Sequence, residues 1–146
     1  GVYYDGSSII GFMHQWDKEE RELAKCEVRE SSGVFEVLGS VYWLQLFGVD
    51  CARLRVQLEM DSDPAVSAME KAFSDTAAML CCVAEARRLC AASYICLRWR
   101  QVRGDIYNVI ADHLSHGRWT EASCAALSEF GLELKMADGL LSPVIR

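Results

Sequence analysis

The period of apolar and polar positions changes several times along the chain, and each change marks an element. Residues 2–5 (VYYD) and 9–16 (IIGFMHQW) read as strands on either side of a Gly-Ser turn, and 23–28 (LAKCEV) offers a third with rough alternation. Three strands in succession predict an antiparallel meander. Ser31-Ser32-Gly33 then caps a helix whose apolar positions Val34, Val37, Leu38, Val41 and Leu44 recur at helical spacing, ending near Gly48. Residues 53–60 (RLRVQLEM) return to period two, a half-buried strand that stops at Asp61-Ser-Asp-Pro64. Asp63 fits an N-cap, and Pro64 fits the first position of a new helix. Helical spacing covers 65–71 and 76–92 with a break near Ser74, and 94–99 (YICLRW) is a fifth strand. Gly104-Asp105 reads as a turn, a helix begins around Asn108, and a short amphipathic helix spans about 120–130.

The predicted order is βββαβαβα. A helix between the fourth and fifth strands makes that pair parallel, because a short hairpin cannot connect them. The expected fold is α/β: a mixed five-stranded sheet with helices packed on it. At 146 residues the chain fits one domain. We assign 1–116 to the sheet domain and 117–146 to a C-terminal helical extension of it or the start of a connection.

Composition narrows the function classes. No apolar run approaches the roughly 20 residues that span a bilayer, so no membrane partner is expected. The opening GVYYDGSS lacks the basic and apolar regions of a signal peptide, and we expect a piece of a longer intracellular protein, cytoplasmic or nuclear. Seven cysteines include no C-x-x-C pair, which argues against a thiolate zinc site, and their odd count suits a reducing compartment. They read as core or incidental, with Cys81, Cys82, Cys90 and Cys96 among apolar neighbours. A formal charge of −6 opposes a wholly basic nucleic-acid surface. Even so, Arg87, Arg88, Arg98, Arg100 and Arg103 crowd one short region and allow a local basic face.

The candidate chemistry lies in acids at the ends of elements. Asp5 ends the first strand and Asp61 the fourth; if those strands are neighbours, the carboxylates face each other at one sheet edge. Glu36 falls in the first turn of the helix after the meander, and Asp112 in the first turn of the helix that Asn108 caps. Both lie near positive helix ends, which favour the ionised form. Plainer roles exist for each: Asp5 before Gly6-Ser7 can simply start a turn, Glu30 competes with Glu36, and Glu59 and Asp63 compete with Asp61. Asp112, flanked by Ala111 and Leu114, has the weakest plain role. Four convergent carboxylates without basic partners call for divalent metal, Mg²⁺ or Mn²⁺. Two such ions roughly 3.5–4 Å apart activate water for phosphodiester cleavage.

Three stretches resemble the ribonuclease H domain of retrotransposon reverse transcriptases, most closely that of DIRS-type elements. Tyr3-Tyr-Asp-Gly-Ser7 is similar to the first-strand "D-A-S" motif. Val56-Gln-Leu-Glu-Met-Asp-Ser-Asp-Pro-Ala-Val66 is similar to "V-x-V-x-x-D-N-x-x-x-V", with Ser62 in place of the Asn. Val102-Arg-Gly-Asp-Ile-Tyr-Asn-Val-Ile-Ala-Asp-His-Leu-Ser115 resembles "G-x-x-N-x-x-A-D-x-L-S-R", with Gly104 one residue further from the Asn and His116 in place of the Arg. Phe35-Glu-Val-Leu-Gly-Ser-Val-Tyr-Trp43 is similar to the helix that supplies the family's Glu. The resemblance covers residues 2–116. It implies metal ligation by Asp5, Glu36, Asp61 and Asp112, two Mg²⁺ or Mn²⁺ ions, and cleavage of the RNA strand of an RNA–DNA hybrid. It also implies an upstream reverse transcriptase domain in the same polyprotein. His113 or His116 is a weaker candidate for proton transfer. The competing expectation is a ribonuclease H-like module without catalysis, serving as a structural or protein-binding part of a larger nucleic-acid machine. A DNA-cutting nuclease or integrase of the same superfamily is a third.

Overall fold

The most apolar stretch of the chain becomes its central helix, α2 (Ser31–Phe47). Val34, Val37, Leu38, Val41, Tyr42, Trp43, Leu44 and Phe47 are all buried, so the helix is enclosed rather than one-faced. The computed structural model describes residues 1–25, 31–139 and 141. The helices α3 (Asp63–Lys71) and α4 (Ala77–Ala92) contribute Ala65, Met69, Met79, Cys82, Val83 and Ala86 to the core around α2. Strands β3 (Arg55–Met60) and β4 (Cys96–Gln101) pair in parallel, with Leu58 opposite Trp99, and turn Leu58, Met60, Leu97 and Trp99 toward it.

A second, smaller core forms at the other end. Strand β1 (Val2–Tyr4) runs antiparallel to β2 (Ile9–Gly11), and β5 (Leu134–Met136) adds to β2 in parallel. Helices α6 (Val109–Ser115) and α7 (Trp119–Phe130) cover these strands through Ile110, Leu114, Ala122 and Ala126, packed with Ile9 and Leu134. Gly11 permits the close approach: a Cβ there would stand 2.8 Å from a methyl of Leu114.

The molecule is mixed α/β, as expected, but its described strands form a sheet of three and a sheet of two. Among the described residues β1 and β3 share no ladder, so the expected joining of the strands into one five-stranded sheet is not shown. Residues 23–25, assigned above to a third strand, lie in helix α1 (Lys18–Lys25); 26–28 fall outside the described residues. A capping box explains the helix. The Asp17 carboxylate accepts from Glu20 N at 2.8 Å, and the Glu20 carboxylate accepts from Asp17 N at 2.8 Å.

The second strand stops at Gly11, and His14 and Trp16 instead pack their rings against Tyr42, edge-on, and Phe35, tilted. Ser62, not Asp63, caps α3: its backbone is extended and its hydroxyl accepts from Ala65 N at 3.4 Å. Gly104 and Asp105 begin a helical turn, α5 (Gly104–Tyr107). Among the described residues the thiols are free, with Cys51 and Cys82 buried and Cys81 and Cys96 exposed; Cys26 lies outside the described residues. Among the described residues no helix is long and apolar enough to cross a membrane.

Candidate active site

Between the two cores runs a groove of about 730 Å³, and Asp5, Glu36, Asp61 and Asp112 all line it. Its walls come from β1, the N-terminal part of α2, β3 and α6. Each acid reaches the groove for a local reason. Asp61 is the residue after β3, fixed there because the strand must end where Ser62 caps α3. Asp112 stands in the first turn of α6, its N–H donating to the Asn108 carbonyl at 2.9 Å. Asn108 occupies the cap position of α6, although its side chain makes no capping hydrogen bond.

Glu36 departs from the sequence expectation. It lies in the second turn of α2, so the helix dipole acts weakly on it. Burial, reinforced by the charge of Asp61, pushes its carboxyl up to about 7. A side-chain hydrogen bond to Asp61 favours the same form, with protonated Glu36 as donor. The ionised Glu36 expected from its helix position is thus replaced by a carboxyl that holds its proton near neutrality.

Gly104 joins Asp61 to Asp112. A Cβ at this position would stand 3.0 Å from Asp61 Oδ2 and 3.7 Å from Asp112 Oδ1. Only a residue without a side chain leaves that space between the two carboxylates open. Sequence reading treated Gly104 as turn punctuation; its place in the closing motif was the available signal.

Asp5 is the acid that stands apart. Its Oδ1 accepts from Ser7 N at 2.9 Å, Ser8 N at 2.9 Å and Ser7 Oγ at 3.0 Å. These bonds, led by the two backbone donors, hold its carboxyl below the usual range. Asp5 lines the groove, but its carboxylate closes its own turn, the plain role weighed for it above.

The histidines divide as well. His116 Nδ1 lies 2.8 Å from the Asp112 carbonyl and 3.7 Å from its carboxylate, capping the end of α6. His113 Nδ1 is buried and has no hydrogen-bond partner among the described residues. Neither histidine lines the groove.

Among the described residues no three His, Cys, Asp or Glu side chains stand close enough to hold a metal ion as they are. In chemical kind the donors of Glu36, Asp61 and Asp112 suit a hard divalent cation, since all are carboxylate oxygens. The space that a Cβ at 104 would fill lies between two of them. No family model, curated protein or solved structure matches the chain.

Proposed function

We propose that the chain is a metal-dependent ribonuclease H that hydrolyses the RNA strand of RNA–DNA hybrids, within a retroelement polyprotein that also carries a reverse transcriptase. One observation carries the reading: Glu36 and Asp61, distant in sequence, share a hydrogen bond in a groove, with Asp112 close by across Gly104. Glu36 is half-buried against the charge of Asp61, and a carboxyl perturbed in this way within a groove is a candidate for a functional site. The closing motif of the ribonuclease H resemblance supplies Gly104, Asn108 and Asp112 together. The finer fold, a five-stranded ribonuclease H-like sheet, belongs to the same proposal. Its support is that the unpaired edges of β1 and β3 both border the groove.

Glu36, Asp61 and Asp112 would hold divalent cation, Mg²⁺ or Mn²⁺ and two ions by resemblance. Bound there, it would supply a water of lowered pKa and neutralise charge on the phosphate. Asp61 and Asp112 contribute fixed negative charge, and Glu36 contributes a carboxyl able to lose its proton near neutral pH. In the hydrolysis a water oxygen bonds to phosphorus, the bond from phosphorus to the 3′ oxygen breaks, and that oxygen takes a proton. The products are a 5′-phosphate and a 3′-hydroxyl.

The test is cleavage of an end-labelled hybrid in Mg²⁺ or Mn²⁺ by the natural chain and by Asp61→Asn. Cleavage by the natural chain, reduced at least about 100-fold in the variant, is expected. A natural chain inert across metal concentrations removes the proposal. The second reading, an RNase H-like module without catalysis, is favoured by one observation: the Asp5 carboxylate is engaged by Ser7 and Ser8. Preference for duplex DNA would point to the DNA-cutting alternative.

A further inference from the structure

Among the described residues the outward face of the β3–β4 pair is largely exposed and basic. Parallel pairing sets Arg55 beside Cys96, Gln57 beside Arg98 and Glu59 beside Arg100, and all but Glu59 of these six are exposed. The opposite faces of both strands are spent on the core around α2. Glu59, the single acid of the six, is already engaged, by Arg100 at 3.8 Å and by Gln57 Nε2 at 2.8 Å. Arg55 and Arg98 have no ion-pair partner among the described residues. The other arginines of the same region are committed differently. Arg87 donates to the carbonyls of Met69 and Glu70, and Arg88 pairs with Glu85 at 2.7 Å. On a chain of charge −6, a sheet face with two unpaired guanidiniums is a local reversal of sign.

We propose that this face docks the phosphate backbone of a nucleic-acid strand, leading it along β3 toward Asp61. The inference rests on the nuclease reading for its choice of duplex, an RNA–DNA hybrid. Three features favour phosphates over a protein. Guanidinium forks match phosphate oxygens two at a time. Residues two apart on one strand repeat about every 6.6–6.8 Å, which makes a linear array for a linear polyanion. The six positions also hold no aromatic or large aliphatic side chain, so a protein partner would lack a buried anchor.

The geometry continues the groove, since Arg55, Gln57 and Glu59 line it together with Asp61. Arg98 is in register with Gln57, four residues before Asp61, or about 13 Å away along the strand. A strand rising about 3.4 Å per nucleotide would therefore meet Arg98 several nucleotides from the cut.

The experiment measures binding of a short labelled hybrid in Ca²⁺ as salt is raised between about 50 and 200 mM. The natural chain, Arg55→Gln/Arg98→Gln and the control Arg88→Gln are compared, each checked by circular dichroism. Each lost phosphate contact should flatten the slope of log affinity against log salt by about 0.9. The double variant should lose about two slope units and at least about tenfold in low-salt affinity, and Arg88→Gln should match the natural chain. An unchanged slope in the folded double variant, no binding by the natural chain, or equal Arg-dependent binding of polyglutamate would each overturn the docking face.

Cleavage in Mg²⁺ or Mn²⁺ separates this proposal from the one it rests on. Cleavage that needs Asp61, with an unaltered slope in the double variant, leaves the nuclease and removes the face. Arg-dependent hybrid binding without cleavage keeps the face and removes the nuclease.

Discussion

Replacing Glu36 with Gln should stabilise the protein at alkaline pH and leave it unchanged in acid. The Glu36 carboxyl rises from an ordinary 4.5 to about 7 on folding, because burial and the Asp61 charge penalise its ionised form. Between these values the folded state binds more protons than the unfolded chain. Stability therefore falls as pH rises through the window from about 4.5 to 7, and is level above it. A rise of this size corresponds to at most about 3 kcal/mol at pH 8, at about 1.4 kcal/mol per pH unit. Gln keeps the shape and a hydrogen-bond donor to Asp61 without the desolvated charge.

Thermal unfolding in chelator at pH 5 and pH 8 would check this. At pH 5 the two proteins should melt within about 2 °C of each other. At pH 8 the variant should melt higher by several degrees, at about 2–4 °C per kcal/mol for a chain near this size. Groups that do not interact with Glu36 move both proteins alike, so the difference between the curves reports Glu36 together with the groups coupled to it, Asp61 and the Gly1 amine. A Glu36→Gln variant whose melting temperature tracks the natural chain from pH 5 to 8 would refute the buried, Asp61-facing placement of this carboxyl.

Two further outcomes follow from particular contacts. Gly104→Ala places a Cβ 3.0 Å from Asp61 Oδ2 and should lower hybrid cleavage at least about tenfold while the melting temperature changes little, measured by single-turnover kinetics and thermal unfolding. Asp17→Ala removes the carboxylate that accepts from Glu20 N at 2.8 Å and should cost about 1 kcal/mol in urea unfolding; a change below a few tenths would mean that the cap contributes nothing to α1.

How much could be read in advance depended on whether a pattern was local. The helix around Val34, Val37, Leu38, Val41 and Leu44 was legible because every one of those positions is buried along a single element. The strand at 55–60 was legible because its alternation matches a face on the core and a face in solvent. Residues 23–25 misled because short apolar and charged runs fit either period, and the deciding signal, Asp17 with Glu20, lay outside the window. The tail at 134–136 was not legible at all. Its place beside β2 is set by long-range packing of Leu134 against Ile9 and Ile110, which no local pattern encodes.

The acids divide along the same line. Strand-end and motif positions put all four on one groove, yet position does not fix where a carboxylate points. Asp5 had N–H donors within three residues and turned to them, which holds it ionised. Glu36 faces Asp61 in a partly dry setting and takes up a proton instead. Two carboxylates on one groove are thereby shifted in opposite directions by their immediate donors and neighbours. The proton on Glu36 also lets the fold tolerate Asp61 beside it, because one negative charge in place of two removes most of the repulsion. The crowding is relieved by a group that water or a cation can exchange, whereas a fixed Arg or Lys in contact with Glu36 would have held the pair permanently neutral. The carboxylates, more than the sheet that carries them, give the groove its chemical character.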